Sequence, residues 1–468
     1  MNSLRIKQLK KQTAINTGKY VLYWMQQSQR VHYNHALEHA ILTANHFDLP
    51  VLVFFGLISN YPEANQRHYV FMLEGLKEVK HILETFNINF IIKFASPEIG
   101  ILPYLKEAKT LVMDKGYLKH QINWRKSILE YSNENELHLE IDIVDTDLIV
   151  PVEIASNKVE YGAYTLRPKL KKIFQEFRDF TRISTVINQK KLEFVSDDDL
   201  SDINQTIKTL NLDHTLLPSR FYQGGYLAAS KLFYEFLDHK VEHYLDSSDP
   251  STDYTSKLSM YLHFGQISSL EILERMMMAH HHGQVDGASL DAFIEQLLVR
   301  RELAFNYVYY NKGYDRFETM TESWAYFTMK EHEMDQRPFV YTKQQIENSL
   351  THDPYFNAAM KEMVYTGFMH NYMRMYWAKK IIEWTPSYKQ AYEMIKDLNN
   401  HYFIDGRDPN SYTGIAWCFG KHDRAWKQRI VFGKLRYMND KGLERKFDIN
   451  SYVNKIEMII KGDFTIVN

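Results

Sequence analysis

The sequence predicts two domains of different class: an N-terminal α/β domain on a Rossmann-like parallel sheet, then a C-terminal all-α domain. Three observations predict this. The chain has 468 residues, too many for one simple core. Short β-rich apolar runs alternate with amphipathic helical stretches over residues 1–150. After Tyr226 the strand signals stop and helical periods dominate. The expected divisions are 1–150, an interdomain connection over 151–225, and 226–468.

Tyr20–Met25 and Val51–Leu57 are expected strands, being short, apolar and rich in β-formers. Between them Asn34–Asp48 carries Ala36, Leu37, Ala40, Ile41 and Ala44 at helical spacing. Gln66–Phe86 is a second amphipathic helix, and Phe90–Ala95, Leu111–Asp114 and Ile141–Asp145 are the remaining strands. From Pro151 to Phe221 the pattern weakens around an acidic patch (Asp197–Asp199, Asp202), as in a connection with some helix. Ala228–Tyr244, Ser268–Ala279, Leu290–Tyr309, Asn357–Glu383 and Tyr388–Leu398 are the expected helices beyond it. No GxGxxG follows the first strand and no GxxxxGK[ST] occurs, so the usual nucleotide phosphate cradles are not supported.

The formal net charge of −2 does not announce a polyanion partner for the whole chain. Locally the balance differs, because Lys421–Lys446 holds nine lysines and arginines against three acids. A solvated helix face is the bland explanation, and the neighbouring tryptophans favour nucleic acid. A single cysteine, Cys418, excludes an intrachain disulfide or thiolate cluster and is expected to be a small buried group beside Trp417. The start, MNSLRIKQLKKQ, lacks an apolar core, and no apolar run approaches membrane-spanning length. A soluble, cytoplasmic protein without a membrane partner is expected. The run His280–His282 reads as a solvent loop, because consecutive side chains seldom converge on one ion, and no metal is expected.

Four strings carry chemistry. Tyr254–Ser268 (YTSKLSMYLHFGQIS) offers the hydroxyls of Thr255, Ser256 and Ser259, which can hold phosphate without glycines but are more commonly helix caps. Ile294–Tyr307 (IEQLLVRRELAFNY) offers Glu295 or Gln296 for a base edge, with Arg300, Arg301 and Glu302 as an ordinary charged helix face. Asn371–Trp384 (NYMRMYWAKKIIEW) puts Arg374, Trp377 and Trp384 on one helix face, where a buried aromatic stripe is the plain alternative. Asn399–Trp426 sets Asn399, Asp405 and Asp408 close to Trp417 and Trp426, with basic residues following. Acids and amides hold polar heterocycles, tryptophans stack on bases, and cations neutralise phosphates. The segment has the parts of a site where a redox cofactor meets a nucleic-acid base.

These strings closely resemble class II cyclobutane-pyrimidine-dimer photolyases, of the photolyase/cryptochrome family, most densely from Tyr254 to Lys446. The resemblance implies that family's architecture, with an FAD-binding helical domain and light-driven repair of ultraviolet-damaged DNA by a monomer. By position it implies Tyr244, Thr255, Ser256, Lys257, Leu258 and Ser259 as cofactor-binding residues. It pairs Arg374 with Asp405 beside the isoalloxazine, sets Asn399 near its N5, and adds Asp408. Trp377 would be the aromatic nearest the flavin and Trp384 the outer member of an electron-hopping chain. Glu295, Gln296, Met375, Trp417 and Trp426 would meet the flipped lesion, and Lys421, Arg424, Lys427 and Arg429 the phosphates. A second, antenna chromophore in the α/β domain (deazaflavin, folate or none) stays open.

Two departures stand out. Met260 replaces a family proline, which alters loop stiffness more than ligand chemistry. In Asp353–Ala359 (DPYFNAA), Phe356 replaces the tryptophan of the electron chain. Phenylalanine is much harder to oxidise, leaving Tyr355, Tyr376 or Tyr341 as substitutes. Three other readings remain open: a cryptochrome-type light receptor, a cofactor-free nucleic-acid-binding protein, and a 6-4 photolyase using His263 and His370.

Overall fold

The computed structural model describes residues 1–12, 17–179 and 183–462. Its sheet has six strands: β1 (Ile6–Lys10), β2 (Tyr20–Trp24), β3 (Val51–Gly56), β4 (Asn89–Lys93), β5 (Ala108–Asp114) and β6 (Glu140–Val144). They lie in the order β1-β6-β5-β2-β3-β4. β2 to β6 are parallel, with Val21 between Val51 and Thr110, whereas β1 runs antiparallel to β6. β1 lies outside the five expected strands. None of its residues is buried, so no apolar run marks it, as suits an antiparallel edge.

Helix His35–Phe47 starts where the Asn34 side chain accepts the Leu37 N–H at 3.0 Å, and it buries Ala36, Leu37, Ala40, Ile41 and Ala44 on the sheet. The chain moves outward from β2 to β3 and β4, then returns to β5 and β6 on the other side. The strand order therefore reverses between β2 and β5, the kind of crevice where open α/β sheets take ligands.

The rest is helical. Residues 151–225 include helix Ala163–Ile173, whose Leu166 and Leu170 pack with Phe233 and Leu298, while Val186, Leu200, Ile207 and Leu210 pack on the sheet's core. The helix expected over Asn357–Glu383 is two, Pro354–Thr366 and Asn371–Trp384. Gly367 breaks it at φ +81, its N–H bonding the Met363 carbonyl at 2.9 Å. His370 caps the second helix.

The expected stretch Leu290–Tyr309 is helical but divided, with wider π-type turns over Glu295–Arg300 between Gly287–Ile294 and Arg301–Tyr310. The charged-face reading fails for two of its residues, Arg301 and Glu302, which are buried. Arg301 donates to Asp147 at 2.8 Å, and Glu302 accepts the N–H groups of Ile149 (2.7 Å) and Val150 (3.2 Å). They tie the exit of the α/β domain to the helices. Among the described residues no helix is long and apolar enough to cross a membrane.

Candidate cofactor and nucleic-acid site

At the middle of the helical domain Arg374 and Asp405 form a bidentate pair, with N–O distances of 3.0 and 3.1 Å. Arg374 Nε also donates to the Met369 carbonyl (3.0 Å), and its guanidinium lies 3.9 Å from the Phe403 ring centre. Asn399 is buried, and its amide donates to Asn400 Oδ1 at 2.9 Å. Asp408 caps helix Pro409–Cys418 and shares a 3.0 Å hydrogen bond with His263 Nδ1. Burial acts to raise the Asp408 carboxyl, but the bonds from His263 and Asn410 outweigh it and hold the pKa below the ordinary range. The plain capping role is therefore the one Asp408 visibly fills, with His263 as its second partner.

The loop 254–258 packs through Leu258 into the same core as Phe368 and Ile404. Thr255 and Ser256 are half-buried, Ser259 is exposed, and among the described residues none of the three hydroxyls bonds to protein. Lys257 adopts φ +53 and pairs with Asp253, and Leu258 is buried. Tyr244 packs on Phe236 and Phe293, and burial pushes its hydroxyl up to about 12.

Helix Asn371–Trp384 carries both expected electron carriers. Trp377 is buried and its indole N–H has no hydrogen-bond partner. Trp384, expected as the outer member, is only 1% exposed. Phe356 packs edge-on against it (5.0 Å between ring centres), and Tyr341 lies on it at 5.3 Å. Tyr341 hydrogen-bonds His352 Nδ1 at 2.7 Å. Tyr376 donates to the Asp353 carboxylate. Met375 is half-buried one residue beyond Arg374.

The expected lesion and phosphate residues separate into two groups. Arg424, Trp426, Lys427 and Arg429 are exposed on one turn, with the Arg424 and Arg436 guanidiniums 5.2 and 5.4 Å from the Trp426 ring centre. Arg429, Arg436, Lys441, Arg445 and Lys446 then line a groove of about 510 Å³. Lys421 departs from its expectation as a phosphate contact. It is buried, and its ammonium is held by Glu322 and lies over the Tyr307 ring. Trp417 is half-buried, and Cys418 behind it is buried as expected. Glu295 is gripped by Arg167 (2.8 Å twice) and Arg300 (3.0 Å), while Gln296 is exposed.

His263 and His370 make no pair. His370 Nδ1 accepts the Tyr372 N–H (3.2 Å), its Nε2 donates to the Ser247 carbonyl (2.9 Å), and burial lowers its pKa to about 4. Both nitrogens serve the fold.

A second cavity, of about 100 Å³, opens at the carboxyl ends of β2 and β3, lined by Met25, Gln26, Gln29, Phe55, Leu57, Tyr61, Trp124, His263 and Arg407 among others. Neither polar atom of the buried Gln26 amide has a partner, nor does Gln29 Oε1. Sequence reading missed these residues, because isolated glutamines after a strand carry no motif. Among the described residues no three His, Cys, Asp or Glu side chains converge as metal ligands.

Comparison with known proteins decides the family. The deoxyribodipyrimidine photo-lyase of Methanothermobacter thermautotrophicus is 43% identical over 453 residues, covering 97% of this chain and 98% of the relative. The chain belongs to the photolyase/cryptochrome family. The DNA photolyase family model matches residues 21–188, most of the α/β domain and the start of the connection after it. The fold of this family member also matches solved structures at low identity. The archaeal photolyase of Sulfolobus tokodaii gives a TM-score of 0.68 at 15% identity, covering 93% of this chain and 89% of that one. The cryptochrome of Synechocystis gives 0.72 at 14%, covering 94% and 89%. Photolyase and cryptochrome thus share the fold, and the side chains must separate their functions.

Proposed function

We propose that this chain is a class II photolyase that splits cyclobutane pyrimidine dimers in DNA under blue light, with FAD in the helical domain. The observation that carries this reading is the bidentate Arg374–Asp405 pair, set in the same helical domain as buried Asn399 and Trp377. The donor set fits a flavin: an amide and an ion pair for its polar edge, an unpartnered Trp377 indole N–H, and unused hydroxyls at Thr255, Ser256 and Ser259 for the diphosphate. Bound reduced FAD supplies the photochemistry, one electron lent to the dimer and returned after it splits.

The chain's own groups position and shield. Arg374 and Asp405 fix each other in one geometry, so neither has to reorganise when the cofactor seats. Trp417, Trp426 and Gln296 would receive the extruded dimer, and Arg424, Lys427 and Arg429 the backbone phosphates. The exposed basic turn favours repair over the receptor reading, because signalling needs no lesion surface.

The α/β cavity is the proposed antenna site. Its open hydrogen-bonding atoms belong to neutral glutamines, and its single lysine or arginine, Arg407, already bonds Asn400 and His68. A planar neutral heterocycle such as a deazaflavin suits it better than a folate with an anionic tail.

The test is an absorption spectrum of the purified protein, then blue-light repair of an oligonucleotide containing one dimer. Flavin absorbance with light-dependent dimer loss is expected. Flavin without repair, and equal affinity for irradiated and untreated DNA, would move the protein to the receptor class.

A further inference from the structure

Residues 156–169 fall in the stretch expected to connect the domains, yet they carry two exposed tyrosines. Tyr161 is 42% exposed and Tyr164 63%, with ring centres 6.1 Å apart. Exposed aromatics of this size are ordinary when scattered on mobile loops. Here Tyr161 sits on a fixed loop and Tyr164 in the first turn of the helix Ala163–Ile173 that follows it. Asn306, buried, accepts the Glu160 N–H at 2.8 Å through Oδ1 and donates to the Lys158 carbonyl at 3.0 Å through Nδ2. Tyr310 donates to the Ser156 carbonyl at 2.6 Å, and buried Glu160 pairs with Lys169.

The loop also bridges the two walls of the lesion surface. On one side His422 Nδ1 bonds the Tyr161 carbonyl at 2.8 Å, and the Tyr161 hydroxyl donates to the Asp423 carbonyl at 3.3 Å. Those residues lead directly into Arg424 and Trp426. On the other side Arg167 grips Glu295, the neighbour of Gln296. The loop's acid, Glu160, is neutralised by Lys169, and Glu295 on the facing helix by Arg167 and Arg300, while Lys158 is exposed. The tyrosines are therefore continuous with the basic turn, where the Asp423 carboxylate beside Tyr161 accepts the Arg424 N–H at 2.8 Å and the Trp426 indole N–H at 3.1 Å.

We propose that Tyr161 and Tyr164 form an aromatic shelf that stacks on the DNA base next to the lesion, where the damaged strand leaves the pocket. The inference rests on the repair reading and extends its footprint. Extruding a dimer leaves the flanking bases with an uncovered π-face, which an aromatic platform can cover whatever the sequence. Tyrosine suits a rigid platform because it offers a large contact area with little side-chain freedom to lose.

The test uses the full-length flavin-loaded protein, with binding measured to a duplex containing one dimer and to single-stranded oligothymidine. Tyr164→Ala should weaken both roughly tenfold, within the range for losing one base–aromatic stack. Tyr164→Phe should bind like wild type, because the ring is kept. A 5-iododeoxyuridine placed beside the dimer should crosslink, on irradiation, to a peptide containing Tyr161 or Tyr164. Arg424→Ala serves as the control for the DNA face itself. If Arg424→Ala weakens binding and Tyr164→Ala does not, the shelf is refuted and the repair reading stands. If neither does, Arg424 is off the interface and the shelf is refuted with it, while the repair reading is decided separately by light-dependent dimer loss. Equal losses in Tyr164→Ala and Tyr164→Phe would assign the contact to the hydroxyl and overturn stacking.

Discussion

Arg374 shows what a single side chain can fix. Its planar fork meets the two Asp405 oxygens with two separate nitrogens in parallel, a geometry a single ammonium nitrogen cannot match. Arg374→Lys should therefore keep the charge and lose cofactor hold, seen as a lower flavin-to-protein absorbance ratio with an unchanged far-ultraviolet spectrum. Full flavin retention would mean that charge alone suffices. If electrons hop along Trp377 and Trp384, Phe356 interrupts the path, and because Trp384 is buried against Tyr341 the exit to solvent is expected through Tyr341. Photoreduction of oxidised flavin with a thiol donor should be slow in the wild type, faster in Phe356→Trp and slower still in Tyr341→Phe. Repair with chemically reduced flavin should be unchanged in all three. A Tyr341→Phe variant as fast as wild type would return the exit to another tyrosine, Tyr376 first.

At the scale of elements, the sequence exposed periodicity well and joints poorly. The five strands with buried faces and the helices with apolar stripes were readable because burial repeats along them. β1 was not, having no buried residue, and its position depends on pairing with a strand over a hundred residues away. Gly367 was missed because helical spacing continues on either side, and only the backbone at φ +81 reveals the break. A Cβ there would sit 2.7 Å from Ile404 Cγ1, so Gly367→Ala should lower unfolding stability by about 1–3 kcal/mol in urea melts. Arg301 and Glu302 were misread because charge on a helix normally faces water. Their burial has a pH signature. Burial, above all else, lifts the Glu302 carboxyl to about 8. The unfolded chain releases that proton near ~4.3, so between the two values the folded state holds the extra proton. Stability should fall as pH rises through this window and level off above it. Glu302→Gln keeps an acceptor for Ile149 and Val150 but has no proton to lose, so its stability should decline less between roughly pH 5 and 8. Parallel profiles would mean that Glu302 is ionised where it sits.

For the whole molecule, the formal charge of −2 conceals a divided surface. The candidate site was legible where chemistry came in contiguous strings, as in Asn371–Trp384 and Asn399–Trp426. Which cations of Lys421–Lys446 face outward was not, because sequence counts charges without showing burial. Lys421 and Arg424 make the distinction measurable. Arg424 is exposed beside Trp426, whereas Lys421 is enclosed with Glu322. If the exposed turn meets phosphates, binding to DNA should weaken with salt at a slope near −0.9 per contact. Arg424→Ala should then reduce the slope by about one and weaken damaged and undamaged duplexes alike. Its melting temperature should change little, since its guanidinium lies only over the exposed Trp426 ring. Lys421→Ala should do the reverse. It leaves a partly enclosed carboxylate at Glu322 without its partner, at a cost of ~1–3 kcal/mol in stability, and it removes no cation from the DNA face. The salt slope should be unchanged at temperatures where the variant is folded. A lower slope in Lys421→Ala would mean that Lys421 leaves Glu322 for a phosphate when DNA arrives. An unchanged slope in Arg424→Ala would take Arg424 off the interface and leave Lys427, Arg429 and the groove around Arg436 as the surface that holds the duplex.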